Sequence, residues 1–326
     1  MAQMLIQETN AAMPDRSGRY IPRGVIPACL LPFTRDLEID EPAYRRHLRD
    51  LAAVDGVTAI TTNAHASEIA SLTPAEQERV LAITRDEVGG SVRIVSGIYA
   101  DGSLQAAELA RAATRSGADA LLVFPPQPFI MGAQRRPEMA LAHFSRIADA
   151  VDTSLIVFQY PLESGQGYST ETLLRLAEAV PSIVAIKDWS SSPVQHEDHI
   201  RNLHAVGRPF SVLTTNSAWL LSALVLGSDG LLSGSGSVVV DLQSALFDAV
   251  QRGDLAAARR VSDRLFPITQ VFYRDPWVDM HNRMKEALVL LGRLEAAYVR
   301  PPLVKIPDVE IEQLRQALVA GGLLHG

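Results

Sequence analysis

Short apolar stretches alternate with longer amphipathic ones along most of the chain. Each short stretch is rich in aliphatic residues and bounded by turn residues, a pattern typical of strands buried on both faces. Between them, apolar residues recur at helical spacing, as at Tyr44, Leu48 and Leu51, and Thr73 before Pro74 is typical of a helix start. We predict strands over residues 24–33, 56–62, 92–97, 119–124, 154–161, 183–187, 210–214 and 230–233.

The regular alternation of strand and helix predicts a parallel sheet. Eight units of this size over residues 24–240 suit a closed (β/α)8 TIM barrel. A doubly wound open sheet is the alternative, but no Gly-x-Gly-x-x-Gly phosphate loop follows the first strand. From 241 to 326 the pattern is helical only, which we interpret as a C-terminal helical subdomain. Residues 1–23 are interpreted as a poorly ordered leader.

Composition describes a soluble globular protein, with 47% hydrophobic and 21% charged residues. A net charge of −7 disfavours nucleic acid and anionic membranes as partners. We find no apolar run long enough to span a membrane and no signal-peptide pattern, so the cytoplasm is the expected location. The single cysteine, Cys29, excludes an intramolecular disulfide and a cysteine-based zinc cluster, and its apolar setting predicts a core thiol.

The strand over 183–187 ends in a lysine, which is unusual because burying an unpaired ammonium costs several kcal/mol. The chain has only three lysines, and the surroundings of Lys285 and Lys305 predict that both are solvated. Lys187 is predicted to be enclosed. Desolvation favours the neutral amine, which is the nucleophilic form. The alternative is a lysine whose head group extends out of the strand end into solvent.

Active sites of such barrels lie at the carboxyl ends of the strands. Four separate parts of the sequence are predicted to meet there. They are Lys187, the loop over residues 64–68, the pair Gln159 and Tyr160, and the turn at Ser233 and Gly234. This convergence favours a catalytic role for Lys187.

These residues resemble the dihydrodipicolinate synthase / N-acetylneuraminate lyase family of class I aldolases and dehydratases. The resemblance extends from Gly24 to about Pro307 and implies a barrel with a C-terminal helical subdomain, usually tetrameric. It also implies a Schiff-base lysine at 187 and no metal or organic cofactor. The motifs that carry the resemblance are Leu31-Pro32-Phe33-Thr34, Ser67-Glu68 with Leu72-Thr73, residues 117–120, Ala185-Ile186-Lys187-Asp188, and residues 227–233.

The chain departs from the family pattern at its proton relay. The family's catalytic tyrosine falls on Phe158, which has no hydroxyl group, and a relay threonine falls on Ala66. The second relay tyrosine of the synthase falls on Gln127 or Pro126. Three relay positions lost together argue against dihydrodipicolinate synthesis itself.

The resemblance and the enclosed lysine together predict a lyase that acts on a small 2-oxo acid. Lys187 would form an imine that serves as an electron sink for C–C or C–O cleavage. The candidate acid/base groups are Tyr160 and His65, since an ordinary histidine pKa suits proton transfer near neutral pH. Alternatively, Tyr160 packs outward and His65 caps its loop. The predicted substrate-binding residues are Ala66, Ser67, Gln159, Ser233 and Gly234, with Ser67 foremost for the carboxylate.

Other polar residues receive a structural interpretation. Glu68 is expected to support its loop, and His196 and His199 are expected to lie on a solvated helix face and not to bind a metal. Two other functions stay open: an authentic dihydrodipicolinate synthase with an altered relay, and a non-catalytic small-molecule-binding member. The identity of the 2-oxo acid, and the choice between aldol cleavage and dehydration, also stay open.

Overall fold

The computed structural model describes residues 18–325, and within them eight short strands form one parallel sheet. The hydrogen-bonded order β1-β8-β7-β6-β5-β4-β3-β2 brings the two ends of the sheet together. Parallel bridges from Val25 to Val57 and from Ala28 to Thr61 join β1 to β2. The TIM barrel is therefore confirmed, and the open-sheet alternative is wrong. The strands are β1 Gly24–Pro27, β2 Ala59–Thr62, β3 Arg93–Ile98, β4 Ala120–Val123, β5 Ser154–Gln159, β6 Ile183–Asp188, β7 Ser211–Thr214 and β8 Gly230–Ser233.

Each strand is followed by a helix, and the helix starts follow local sequence signals. Thr73 and Glu76 form a capping box at the start of α2, with Pro74 in the first turn. The helices are α1 Glu41–Ala52, α2 Pro74–Val88, α3 Ser103–Arg115, α4 Pro137–Ala148, α5 Thr170–Ala179, α6 Pro193–His204, α7 Leu220–Val225, α8 Gly236–Gln251, α9 Leu255–Phe272, α10 Met280–Leu290 and α11 Asp308–Ala320.

Successive strand residues alternate between the barrel interior and the surrounding helices. On β5, Leu155 and Val157 join the apolar cluster under the helices, whereas Ile156 and Phe158 join the cluster that fills the barrel. Phe158 is in register with Lys187 on β6. The strand pattern thus places Lys187 beside an aromatic ring at the end of its strand.

The predicted limit of the barrel at residue 240 is wrong, because α8 belongs to the barrel. This helix begins at Gly236 directly after β8, and only Val239 departs from helical geometry. The Ser237 hydroxyl donates to the Ala28 carbonyl (2.7 Å) and accepts from the Leu30 amide (2.9 Å), so the helix is fixed to the chain that follows β1. The C-terminal subdomain therefore consists of α9, α10 and α11.

The predicted leader over residues 1–23 falls partly outside the described residues. From residue 18 onward the chain packs against the barrel: Ile21 is buried, and the Tyr20 carbonyl accepts a hydrogen bond from Ser154 Oγ (2.6 Å). The interpretation as a poorly ordered leader is therefore wrong for residues 18–23. Cys29 is fully buried, which confirms the predicted core thiol.

Helix length and hydropathy also bear on membrane insertion. Across residues 18–325, no helix combines the length and the apolar character needed to cross a bilayer.

The close approach of β2 and β3 requires a glycine at position 97. A Cβ atom there would lie 1.7 Å from the Asn63 carbonyl oxygen. We expect Gly97→Ala to lower the free energy of unfolding by about 1–3 kcal/mol, because the backbone must shift to admit the methyl group. Gly90→Ala is the control, since no atom lies within 4 Å of its added Cβ. Equal urea midpoints for the two variants would contradict this account.

Candidate active site

Lys187 lies at the end of β6 and is only 4% exposed. Its Nζ lies 4.0 Å from the centre of the Phe158 ring, and Lys187 lines a cleft at the barrel mouth that spans about 420 Å³, part of it open to solvent. No carboxylate or hydrogen-bond acceptor contacts this Nζ among residues 18–325. Burial therefore lowers the pKa of Lys187 to about 7. At neutral pH a large fraction of this amine is uncharged and nucleophilic.

Lys285 is a second buried lysine, so the prediction that it is solvated is wrong. Its Nζ forms an ion pair with Glu68 and donates to the Tyr298 carbonyl (2.9 Å). Burial lowers the pKa of Lys285 to about 8, against the opposing charge of Glu68. The sequence around Lys285 reads as polar, but α10 packs this face against the rim of the barrel. Lys285 is thus paired, whereas Lys187 is not.

Glu68 joins the rim loop to the C-terminal part of the chain. One carboxylate oxygen pairs with Lys285, and the other accepts from the Arg300 amide (2.9 Å). The residue itself has a left-handed backbone conformation, with φ of 54°. These contacts support the interpretation of Glu68 as a structural residue that fixes the loop over residues 64–68.

His65 and Tyr160 form a hydrogen-bonded pair through His65 Nε2 and the Tyr160 hydroxyl. His65 lines the cleft, so it does not merely cap its loop. Tyr160 does not pack outward, because its ring lies between Phe158 (4.6 Å) and Trp189 (5.5 Å). It is 7% exposed and is not one of the residues that line the cleft.

Enclosure changes the protonation of this pair. Burial, assisted by the nearby charge of Lys187, lowers the pKa of His65 to about 3. Burial also raises the pKa of Tyr160. The prediction that the pKa of His65 suits exchange near neutral pH is therefore wrong. Both partners are neutral at pH 7, so the His65 ring has one N–H donor and one acceptor nitrogen.

Three of the five predicted substrate-binding residues do not point into the cleft. Gln159 donates to the Tyr168 carbonyl (2.9 Å) and accepts from its amide (3.0 Å), because this strand position faces outward. The Ser233 hydroxyl lies in a buried network with Ser217 and Ser235. Neither Gln159 nor Ser233 therefore belongs to the candidate site.

Ser67 is the third of these residues, and its hydroxyl is engaged by the backbone. Its Oγ donates to the Cys29 carbonyl (2.8 Å) and accepts from the Ala64 amide (3.3 Å). Ser67 thus shapes the loop and is not free to hold a carboxylate. Ala66 and Gly234 do line the cleft.

Sequence reasoning missed the contribution of the C-terminal helices to the cleft. His281, Met280 and Tyr273 line it, as does Thr215 after β7. The His281 ring stacks on His65, with centroids 6.5 Å apart, and burial lowers its pKa well below the ordinary value. A signal was present, since His281 and Lys285 are four residues apart and share one helix face.

His196 and His199 are fully buried, so the expected solvated helix face is wrong. Their Nδ1 atoms lie 2.7 and 2.9 Å from Asp188 Oδ2, and His196 Nε2 contacts Ser228 Oγ (2.8 Å). Burial alone would raise the pKa of Asp188, but the hydrogen bonds from the two histidines lower it. This cluster anchors the residue next to Lys187. No group of metal-ligating side chains occurs anywhere in residues 18–325.

An enclosed lysine without a partner among the described residues, at the mouth of a (β/α)8 barrel, is typical of lyases that form an imine on lysine. Comparison with known proteins agrees. The model of the dihydrodipicolinate synthetase family matches residues 21–320, which is most of the chain. The chain belongs to this family and is an enzyme of the aldolase-type lyase class.

Individual relatives are similar over nearly their whole length. The 4-hydroxy-tetrahydrodipicolinate synthase of Rhodopseudomonas palustris is 30% identical over 93% of this chain and 98% of its own. That of Methanopyrus kandleri is 32% identical over 92% and 97%. The dihydrodipicolinate synthase structure from Aquifex aeolicus has a TM-score of 0.83 at 25% identity, covering 93% of this chain and 99% of its own. An Escherichia coli K12 prophage protein of this family, crystallised with pyruvate, has a TM-score of 0.84 at 26% identity, with the same coverage.

The two buried lysines predict opposite effects on stability. The folded-state pKa of Lys187 is below its unfolded value, so the unfolded state binds more protons and stability rises with pH between about 7 and 10.5. At pH 7 we expect Lys187→Met to raise the free energy of unfolding by about 1–2 kcal/mol. Lys285→Met should lower it by about 3–5 kcal/mol, because Glu68 stays buried without its cation.

Urea unfolding of both variants at pH 7 measures this contrast. Lys305→Met is the control, since Lys305 is exposed and its replacement should change the free energy of unfolding by less than about 0.5 kcal/mol. A loss of stability in Lys187→Met as large as that in Lys285→Met would show that Lys187 is also paired.

Proposed function

We propose that the protein cleaves 4-hydroxy-2-oxo acids to pyruvate and an aldehyde through an imine on Lys187. The observation that carries the proposal is an enclosed Nζ that has no partner among the described residues and lines a cleft. The neutral amine attacks the keto carbon of the substrate and expels water. The resulting protonated imine is the electron sink that the cleavage requires.

The cleavage needs no further reactant. The C4 hydroxyl loses its proton to a base, the C3–C4 bond breaks, and its electron pair moves to the imine to form an enamine. The aldehyde leaves, the enamine takes a proton at C3, and water releases pyruvate from Lys187. The pyruvate bound to the E. coli family member supports pyruvate as the common half of the substrate.

The substrate carboxylate has two candidate donors beside Lys187. The Ala66 amide makes no hydrogen bond to another residue of the described chain, and Ala66 lines the cleft. Thr215 lines the same cleft, and its amide donates to the Asp188 carbonyl (2.9 Å). The free Ala66 amide and the Thr215 hydroxyl, carried on a backbone that Asp188 holds, are the donors that a carboxylate would use.

The base is His65, and Tyr160 positions it. Phe158 stands where the family has its catalytic tyrosine, and Tyr160 supplies a hydroxyl two residues later. In the tautomer with its hydrogen on Nε2, His65 donates to that hydroxyl, and Nδ1 is an unprotonated acceptor free of hydrogen bonds to the described residues. His65 would take the C4 proton at Nδ1. Because burial holds the pKa of His65 at about 3 in the free site, the step relies on the bound substrate carboxylate, whose charge raises the pKa of the imidazolium.

Imine trapping tests the covalent step and separates an enzyme from a non-catalytic binder. The protein is incubated with pyruvate and borohydride, and the intact mass is measured. We expect one adduct in the wild type and in Lys305→Ala, and none in Lys187→Ala. An adduct that persists in Lys187→Ala, or no adduct in the wild type, would overturn the proposal.

The His65–Tyr160 pair predicts a characteristic pattern of kinetic effects. His65→Ala should lower kcat for aldol cleavage by about 10²–10⁴-fold, because the proton acceptor is lost, while pyruvate trapping persists. Tyr160→Phe should lower kcat by about tenfold or more, and the double variant should lose no more than His65→Ala alone, since the two residues act as a unit.

Tyr168→Phe is the matched control for the tyrosine variant. Tyr168 is buried on the same side of the barrel, and its hydroxyl has no hydrogen-bond partner within residues 18–325. We expect unchanged kinetics. Additive losses in the double variant, or a loss of trapping together with kcat, would show that the pair acts only on the shape of the site.

A further inference from the structure

A second and larger cavity adjoins the Lys187 cleft. It spans about 1050 Å³, part of which is open solvent. His65, Trp189, Met280 and His281 line both spaces, so the two are next to each other. We call the larger space the outer chamber and define it by His65, Ile69, Trp189, Trp277, His281 and Leu303.

A row of aromatic rings leads from the lysine to this chamber. The Phe158 ring, next to Lys187 Nζ, stacks on Tyr160 (4.6 Å), and Tyr160 contacts Trp189 (5.5 Å). Trp189 in turn contacts Trp277, with centroids 5.4 Å apart. A substrate attached to Lys187 that extends outward would therefore meet an apolar and aromatic wall.

The charged groups of the chamber are already engaged. The Arg300 guanidinium donates to the Leu37 carbonyl (2.8 and 3.0 Å), the Ser71 carbonyl (3.1 Å) and Glu76 (2.6 Å). Glu68 is held by Lys285 and by the Arg300 amide. Neither group is available to a second carboxylate or to an ammonium on the substrate.

The polar groups are few as well. Ser71 Oγ donates to the Glu68 carbonyl (2.8 Å), and enclosure lowers the pKa of both His65 and His281, so their rings are neutral. Trp277 and Val278, which line the chamber, are 45% and 64% exposed. A polyhydroxy chain would find little hydrogen bonding here, whereas an apolar group would cover these side chains.

We propose that the outer chamber binds an uncharged, apolar and preferably aromatic group carried on C4 of the substrate. This inference rests on the proposed aldol cleavage at Lys187. The substrate class is then a 4-hydroxy-2-oxo acid with an aryl or alkyl substituent. Its C3–C4 bond breaks as described above, and the products are pyruvate and an apolar aldehyde. Aspartate semialdehyde, which carries an ammonium and a carboxylate, does not fit this chamber.

A panel of three substrates tests the inference. They carry phenyl, methyl or carboxylate at C4: 4-hydroxy-4-phenyl-2-oxobutanoate, 4-hydroxy-2-oxopentanoate and 4-hydroxy-2-oxoglutarate. Pyruvate release gives kcat/KM for each. We expect phenyl to exceed methyl by about 10–200-fold, as expected for added apolar contact, and carboxylate to be the poorest. Pyruvate trapping on Lys187 is measured in parallel.

Two variants test whether the preference for the phenyl substrate arises in the outer chamber. Trp277→Ala should lower kcat/KM for the phenyl substrate by about tenfold or more and leave the methyl substrate within about threefold. Phe266→Ala is the control, because Phe266 is also an exposed aromatic residue (60%) but lies on α9 outside the chamber. It should leave the phenyl-to-methyl ratio unchanged.

The outcomes separate the two proposals. If pyruvate is trapped on Lys187 and the preference for the phenyl substrate is lost in Trp277→Ala, both proposals are supported. Trapping with a preference for the carboxylate substrate, or a phenyl preference unchanged in Trp277→Ala, overturns the assignment of the chamber and leaves the proposed function standing. Absence of trapping overturns both.

Discussion

The site depends on the enclosure of one amine without a counter-charge. A pKa lowered from 10.5 to about 7 corresponds to a cost on the order of 5 kcal/mol at neutral pH, since each unit is about 1.4 kcal/mol. The rest of the fold must supply that energy. Lys285 shows the alternative, because an equally buried lysine is held in an ion pair with Glu68 and keeps a higher pKa, at about 8. The difference between the two lysines is the presence of a carboxylate.

The surroundings of Lys187 are held by two buried polar clusters. Asp188, bound by His196 and His199, fixes the end of β6. Glu68 and Lys285 attach the rim loop to α10, which brings His281 to the cleft. These buried polar groups form hydrogen bonds and ion pairs with residues around Lys187 and not with its amine. They keep the site in one arrangement while the amine itself remains free.

The barrel and its lysine could be predicted from the sequence because both follow from local patterns. The eight strands have period and composition signals of their own, and Lys187 stands out in an apolar run. The partners of Lys285, His196 and His199 could not be predicted, because each partner lies elsewhere in the chain. A polar helix sequence does not reveal that tertiary packing buries its polar face.

The orientations of the side chains at the barrel rim could not be predicted from the local sequence either. Gln159 and Tyr160 are neighbours in sequence, yet one bonds the Tyr168 backbone and the other meets His65. Within a strand, neighbouring side chains point to opposite faces. Because β5 ends at Gln159, the direction of the Tyr160 side chain depends on the loop that follows. The apolar outer chamber depends on Trp277 and Leu303 from the C-terminal region, far from the barrel motifs.

The central claim is tested most directly by the protonation of Lys187 in the free enzyme. Brief labelling with acetic anhydride over a range of pH, followed by peptide mass spectrometry, reports the fraction of neutral amine at each of the three lysines. The account predicts that labelling of Lys187 rises with a midpoint near pH 7. A midpoint near the ordinary lysine value of about 10.4 would contradict it.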